Sequence, residues 1–95
     1  MLTIAGYIWR EEVVDKLAWK HNVATYEVEE VFKNSPRIQR IAKGHYQGED
    51  VYSAAGRSEA GRYLIVIFIY KRNKQALINT ARDMTAKERQ RYGKK

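Results

Sequence analysis

Tyr63-Leu64-Ile65-Val66-Ile67-Phe68-Ile69-Tyr70, then Lys71-Arg72-Asn73-Lys74, then Gln75-Ala76-Leu77-Ile78-Asn79-Thr80-Ala81: these nineteen residues decide the fold of the 95-residue chain. The first eight are apolar at consecutive positions, the pattern of a central strand covered on both sides. Leu64, Val66 and Phe68 form its core stripe. Arg72-Asn73-Lys74 reads as a hairpin turn, and Gln75 to Ala81 as the returning strand. Upstream, Asp50 to Arg57 is a further strand, closed by a turn at Ser58-Glu59-Ala60-Gly61. Arg37 to Ala42 alternates polar with apolar residues as an exposed strand does, and Lys43 to Gly48 is a loop.

Ahead of this run the period changes. Val13, Val14, Leu17 and Ala18 recur at helical spacing, which predicts an amphipathic helix over 11–20. It stops near His21-Asn22, where asparagine can take the left-handed conformation. Thr25 reads as the N-cap of a second helix, with Glu27, Glu29 and Glu30 near its positive end and Tyr26, Val28, Val31 and Phe32 on its apolar side. The only proline, Pro36, ends that helix. Ile4 to Trp9 is a short first strand. Thr85-Ala86-Lys87-Glu88 matches a capping box, opening a last helix that runs to about Tyr92. The order β-α-α-β-β-β-β-α gives a single α+β domain over 1–95: an antiparallel sheet meander with two N-terminal helices and a short C-terminal helix.

The charge is unevenly placed. Residues 71–95 hold nine basic residues against Asp83 and Glu88, which accounts for the whole net charge of +7. Residues 1–70 hold nine of each sign, and 11–30 alone carry a net −4. A field gathered at one end captures polyanions, so nucleic acid is the first partner to test. A solvated tail that only aids solubility is the other reading. The chain has no cysteine, which excludes disulfides, thiolate metal sites and a cysteine nucleophile. Its longest apolar run is far too short to span a bilayer, and the first residues lack the pattern of a signal peptide; the expectation is a cytoplasmic protein with no membrane contact.

No glycine pattern matches a phosphate loop, and His21 and His45 form no local metal motif, so neither cofactor nor metal is expected. What remains is basic and aromatic. Arg57, Arg62 and Arg82 fall at or near strand ends, with Lys71, Arg72, Tyr52, Tyr70 and Tyr92 close by and Lys87 in the last helix. Arginine forks bind phosphate oxygens two at a time, and tyrosine rings stack on bases. Arg62, beside Gly61, also fits a purely structural role: closing the turn or pairing with Glu59. Arg82, between a strand and a capped helix, can reach a sheet-edge pocket. Tyr70 reads as core more than platform. Glu49 and His45 are the acid–base candidates bordering the region.

Lys20-His21-Asn22-Val23, Glu30-Val31-Phe32, His45 four residues before Glu49, Gly61-Arg62-Tyr63-Leu64-Ile65-Val66, Ile78-Asn79-Thr80-Ala81-Arg82 and Glu88-Arg89 with Tyr92 follow one another in an order that resembles the BrnT family, toxins of type II toxin–antitoxin pairs. Arg10 stands where that family has an aspartate, and Asn22 where it has a glycine. The resemblance implies a RelE-like fold and a metal-independent endoribonuclease. It also implies a ribbon-helix-helix, BrnA-like antitoxin through which operator DNA is bound. It assigns Glu49, Arg57, Arg62 and Arg82 as the catalytic set, with Glu49 the base and His45 its alternative. Lys71, Arg72, Lys87 and Tyr92 would hold RNA, and Tyr92 and Lys71 are the candidate general acids. A binding module without catalysis and a degenerate toxin that only docks its antitoxin are the competing readings.

Overall fold

A computed structural model describes residues 2–44 and 49–93 of the chain. The elements are β1 (Gly6–Ile8), α1 (Glu11–Lys16) running on into a π-helical turn at Leu17–His21, α2 (Thr25–Lys33), β2 (Arg37–Ala42), β3 (Val51–Arg57), β4 (Tyr63–Tyr70), β5 (Gln75–Asp83) and α3 (Ala86–Gly93). They build one five-stranded sheet in the order β1-β5-β4-β3-β2. Among the described residues no helix is long and apolar enough to cross a membrane.

The meander from β2 to β5 is antiparallel throughout. The sheet as a whole is mixed, which corrects the expectation of an antiparallel one. β1 lies parallel to β5, with Gly6 opposite Gln75, Tyr7 opposite Ala76 and Ile8 opposite Leu77. The Ala5 N–H donates to the Lys74 carbonyl at 2.8 Å, so both strands start from the same end. The chain then crosses one face as α1 and α2 before it enters the meander at the far edge. Alternation in a sequence identifies a strand but neither its neighbour nor its direction.

That crossing gives the sheet two unlike faces. Val13, Leu17, Val23, Val28 and Val31 come down from the helical side onto Ala54, Leu64, Val66, Phe68, Ala76, Ile78 and Ala81. Phe68 is fully buried, edge-on to Phe32 at 5.1 Å and stacked on Tyr52 at 5.8 Å. Each such side chain contributes about 1.5–3 kcal/mol by leaving water. Tyr52 and Tyr70 pack against this core, and the Tyr70 hydroxyl donates to the Thr3 carbonyl. The strand pairs Ser53–Ile67, Ala55–Ile65 and Arg57–Tyr63 put the odd-numbered residues on the opposite face. α3 reaches that face at one end, so β4 is not sandwiched between two full layers as its sequence suggests.

One irregularity sets the site. Ile67 pairs with Thr80 but Phe68 with Ile78, leaving Asn79 as an extra residue in β5. The buried positions of β5 therefore run Ala76, Ile78, Ala81, with a step of two and then of three. Beyond the bulge the parity is reversed, and Arg82, opposite Ile65, faces the open side.

The helix ends differ in detail from expectation. Asn22 does take the left-handed conformation, φ 52° and ψ 44°, and ends the first helical segment. α2 starts one residue earlier than a Thr25 cap would set it: Ala24 occupies the cap position, and the Glu27 carboxylate accepts its N–H at 3.0 Å. Thr85 and Glu88 do form the expected box, with Thr85 N–H to Glu88 Oε1 at 2.9 Å and Glu88 N–H to Thr85 Oγ1 at 3.2 Å.

Candidate functional site

Between the open face and α3 lies a cleft of about 270 Å³. Its floor is Ser53, Ala55, Ile65 and Ile67, its outer wall Arg37, Gln39 and Ile41 of the edge strand, and its inner wall Arg82 with Glu88, Arg91 and Tyr92. Three guanidinium-bearing residues thus surround a small, largely apolar floor, where charge interactions are screened less than on open surface. Ile41 is 51% exposed on the rim.

Arg82 is the best-placed cation. Its fork is closed by Glu88 at 2.7 and 2.9 Å, and Nη1 also donates to the Asp83 carbonyl at 3.1 Å. Hydrogen bonding to Glu88 raises the Arg82 pKa. The same bonds, with the Thr85 N–H, pull Glu88 down to about 2, so it is ionised at any ordinary pH. Arg37 Nη1 donates to the Arg91 carbonyl at 3.2 Å, fastening the other end of α3 to the edge strand.

Arg57 belongs to the same end of this face. Its guanidinium lies over the Tyr63 ring at 5.0 Å, and Arg89 lies over that ring at 4.2 Å. Tyr63 meets Tyr92 edge-on at 6.0 Å, linking this aromatic–cation cluster to the cleft. Arg57, Arg82 and Tyr92 are therefore gathered at one end, and Lys87 is exposed on the adjoining α3.

Arg62 is at that end too but turns to the helical side. Its NH groups reach Asp83 at 2.8 and 3.0 Å, Glu27 at 3.3 Å, and the carbonyls of His21 and Asn22 at 3.0 and 2.6 Å. Those carbonyls are the loose end of the first helical segment, and a cation there also suits the helix dipole. Arg62 thus clasps helix end, α2 and β5 together. Its partners are Glu27 and Asp83 instead of Glu59, whose N–H goes to Glu30 at 3.0 Å. Hydrogen bonding to Asp83 is the largest cause of the raised Arg62 pKa, and Arg62 in turn lowers that of Asp83.

Glu49 sits elsewhere. It accepts from Lys71 Nζ at 2.7 Å, beside the β4–β5 hairpin. Ile65, opposite Arg82, and Lys71, just past the end of β4, are six residues apart, so the backbone positions of Arg82 and the Lys71–Glu49 pair lie roughly 20 Å apart along the sheet. Arg72 is exposed in the hairpin turn at that far end. His45 lies outside the described residues. Among the described residues no three histidine, aspartate or glutamate side chains gather as metal ligands.

Sequence reasoning had not singled out Arg37, Arg91 or Glu88 as site residues. For Glu88 a signal existed: a capping-box carboxylate six residues after Arg82, across a strand-to-helix corner. Arg37 and Arg91 are 54 residues apart in sequence, and the packing of α3 over the sheet joins them.

With that geometry in place, residues 9–88 match the family model described as "Ribonuclease toxin, BrnT, of type II toxin-antitoxin system". No curated protein matches the chain.

Proposed function

The chain belongs to the BrnT family of ribonuclease toxins of type II toxin–antitoxin systems, and from that premise we propose that it is a metal-independent endoribonuclease whose scissile phosphate is held in the Arg82 cleft. The observation that carries this reading is the gathering of Arg37, Arg82, Arg91 and Tyr92 around one cleft on an otherwise apolar floor. We place the domain with the RelE-like toxins, working in the cytoplasm beside a BrnA-like, ribbon-helix-helix antitoxin that brings the complex to operator DNA.

In this mechanism the ribose 2′-hydroxyl gives up its proton to solvent as its oxygen attacks the adjacent phosphorus, and the 5′-oxygen of the next nucleotide leaves and takes up a proton, giving a 2′,3′-cyclic phosphate and a 5′-hydroxyl. Charge builds on the nonbridging oxygens as the phosphorane forms. Guanidinium groups already fixed around them lower that barrier without reorganising. Arg82 is the principal donor, with Arg91 in the same cleft and Arg57 over Tyr63 at the same end of the face. Tyr92 is the hydroxyl in the cleft that could protonate the leaving oxygen. Arg62 acts by holding the helical layer on the sheet. Glu49 is too far along the sheet to act on the phosphate at Arg82, and the Lys71–Arg72 hairpin instead extends the basic surface along which RNA would run.

Arg82→Gln tests the assignment. Losing one such donor costs about a hundredfold or more in the rate of cleavage. Stability should change by no more than about 1 kcal/mol, because the Arg82–Glu88 pair is partly exposed. Cleavage at the wild-type rate by a folded Arg82→Gln variant would overturn it. A second reading, binding without cleavage, is favoured by one observation: Glu88, the only carboxylate lining the cleft among the described residues, is held too acidic to be a good base. Wild-type protein that binds RNA with a steep salt dependence, yet releases no cyclic phosphate, would select it.

A further inference from the structure

We propose that Glu88 is a built-in competitor for the phosphate at Arg82, and that α3 releases the end-on fork of this arginine when RNA is held in the cleft. The inference rests on the phosphate-binding role given to Arg82 above. A carboxylate and a phosphate present the same pair of oxygens to a guanidinium fork, and both Arg82 Nη atoms are already taken by Glu88 at 2.7 and 2.9 Å. Arg82 therefore cannot offer this end-on fork to a substrate phosphate while Glu88 is in place, and a phosphate is left with the weaker purchase of the Nε side.

The surrounding contacts make release feasible. No residue of α3 is fully buried. Among the described residues its ties to the sheet include the Arg82–Glu88 pair, the Arg37–Arg91 bond, and the contacts of Arg89 and Tyr92 with Tyr63. Glu88 does not need Arg82 to keep the helix formed, because the bonds between it and Thr85 are local to the first turn. Arg82 in turn keeps its bond to the Asp83 carbonyl when Glu88 departs. The latch is thus separable from both the helix and the strand it joins. It is specific for an oxyanion, because Glu88 stays ionised and only a stronger anion can displace it.

Glu88→Gln removes the competing charge, and glutamine is itself a capping-box residue. The probe is a short single-stranded RNA with 2′-methoxy groups, which binds but cannot be cleaved. The variant should bind it about fivefold tighter than wild type, a change of about 1 kcal/mol at 1.4 kcal/mol per factor of ten. The gain should vanish in the double variant Arg82→Gln/Glu88→Gln. If Glu88 instead orients Arg82 for substrate, Glu88→Gln binds more weakly; that result, or unchanged affinity, overturns the competitor. Arg82→Gln alone separates the two ideas, since undiminished binding there refutes the phosphate site itself. A second measurement uses wild-type protein alone. Saturating RNA should speed amide exchange in Ala86–Gly93, and added protection of that helix would refute its release.

Discussion

Arg62→Gln should unfold this protein at temperatures the wild type survives, because Arg62 is the clasp of the helical layer. Its guanidinium serves four acceptors on three elements, and glutamine can keep one or two of them at best. The two carboxylates do not weigh equally. Asp83 makes the shorter bonds and the larger contribution to the raised Arg62 pKa, yet its side chain is 61% exposed against 15% for Glu27. Water screens the first pair, so exposure is the better guide to stability and most of the loss falls on Glu27. Leaving this mostly buried carboxylate with only the Ala24 N–H costs about 3 kcal/mol, the lower end of the measured range. For a domain of this size that lowers the melting temperature by roughly 12–20 °C. Calorimetry and urea titration of the two proteins measure it. A variant that melts within a few degrees of wild type refutes the clasp, and if it has also lost cleavage, Arg62 belongs with the substrate.

Two further outcomes concern acid and the distant carboxylate. Glu88 is held at about 2 against a usual value of 4.5, and Asp83 is lowered by Arg62. A depressed carboxylate stabilises the fold fully above its unfolded pKa and loses that contribution as pH falls through the folded one. Wild-type stability should therefore decline as pH drops from about 4.5 to about 2, and Glu88→Gln should flatten that decline; equal slopes in acid urea titrations would contradict it. Glu49→Gln should leave the rate of RNA cleavage at the wild-type level. A loss as large as that of Arg82→Gln would place the proton acceptor at the hairpin end.

Local chemistry made most of the fold legible. The strand at β4, the Asn22 stop, Pro36 and the Thr85–Glu88 box each depend on a few neighbours, and each forms in the structure where its chemistry suggests. The parallel β1–β5 pair was not legible, because it joins the first and last strands over three residues whose alternation names no partner. Half-covered β4 misled for a related reason: Ile65 and Ile67 look like core in sequence, but they floor a cleft. Among site residues, the Arg57–Arg82–Tyr92 grouping follows from strand ends and the last helix meeting at one corner. Glu49 was placed with them by order in the sequence, which carries no distance across a sheet.

The bulge at Asn79 ties the fold to the chemistry. With regular alternation after Ala76 and Ile78, the side chain at position 82 would fall on the helical face and Ala81 on the open one. An arginine among Leu17, Val28 and Val66 would have no room for its charge. The extra residue returns Ala81 to the core and turns Arg82 outward, where Glu88 meets it. Arg10 Nη2, from the turn before α1, donates to the Asn79 side chain at 3.3 Å, so the displaced residue is itself held. Basic composition alone marks a surface for polyanions. One unpaired strand residue decides which arginine stands in the cleft, and the charge becomes a site only through that register.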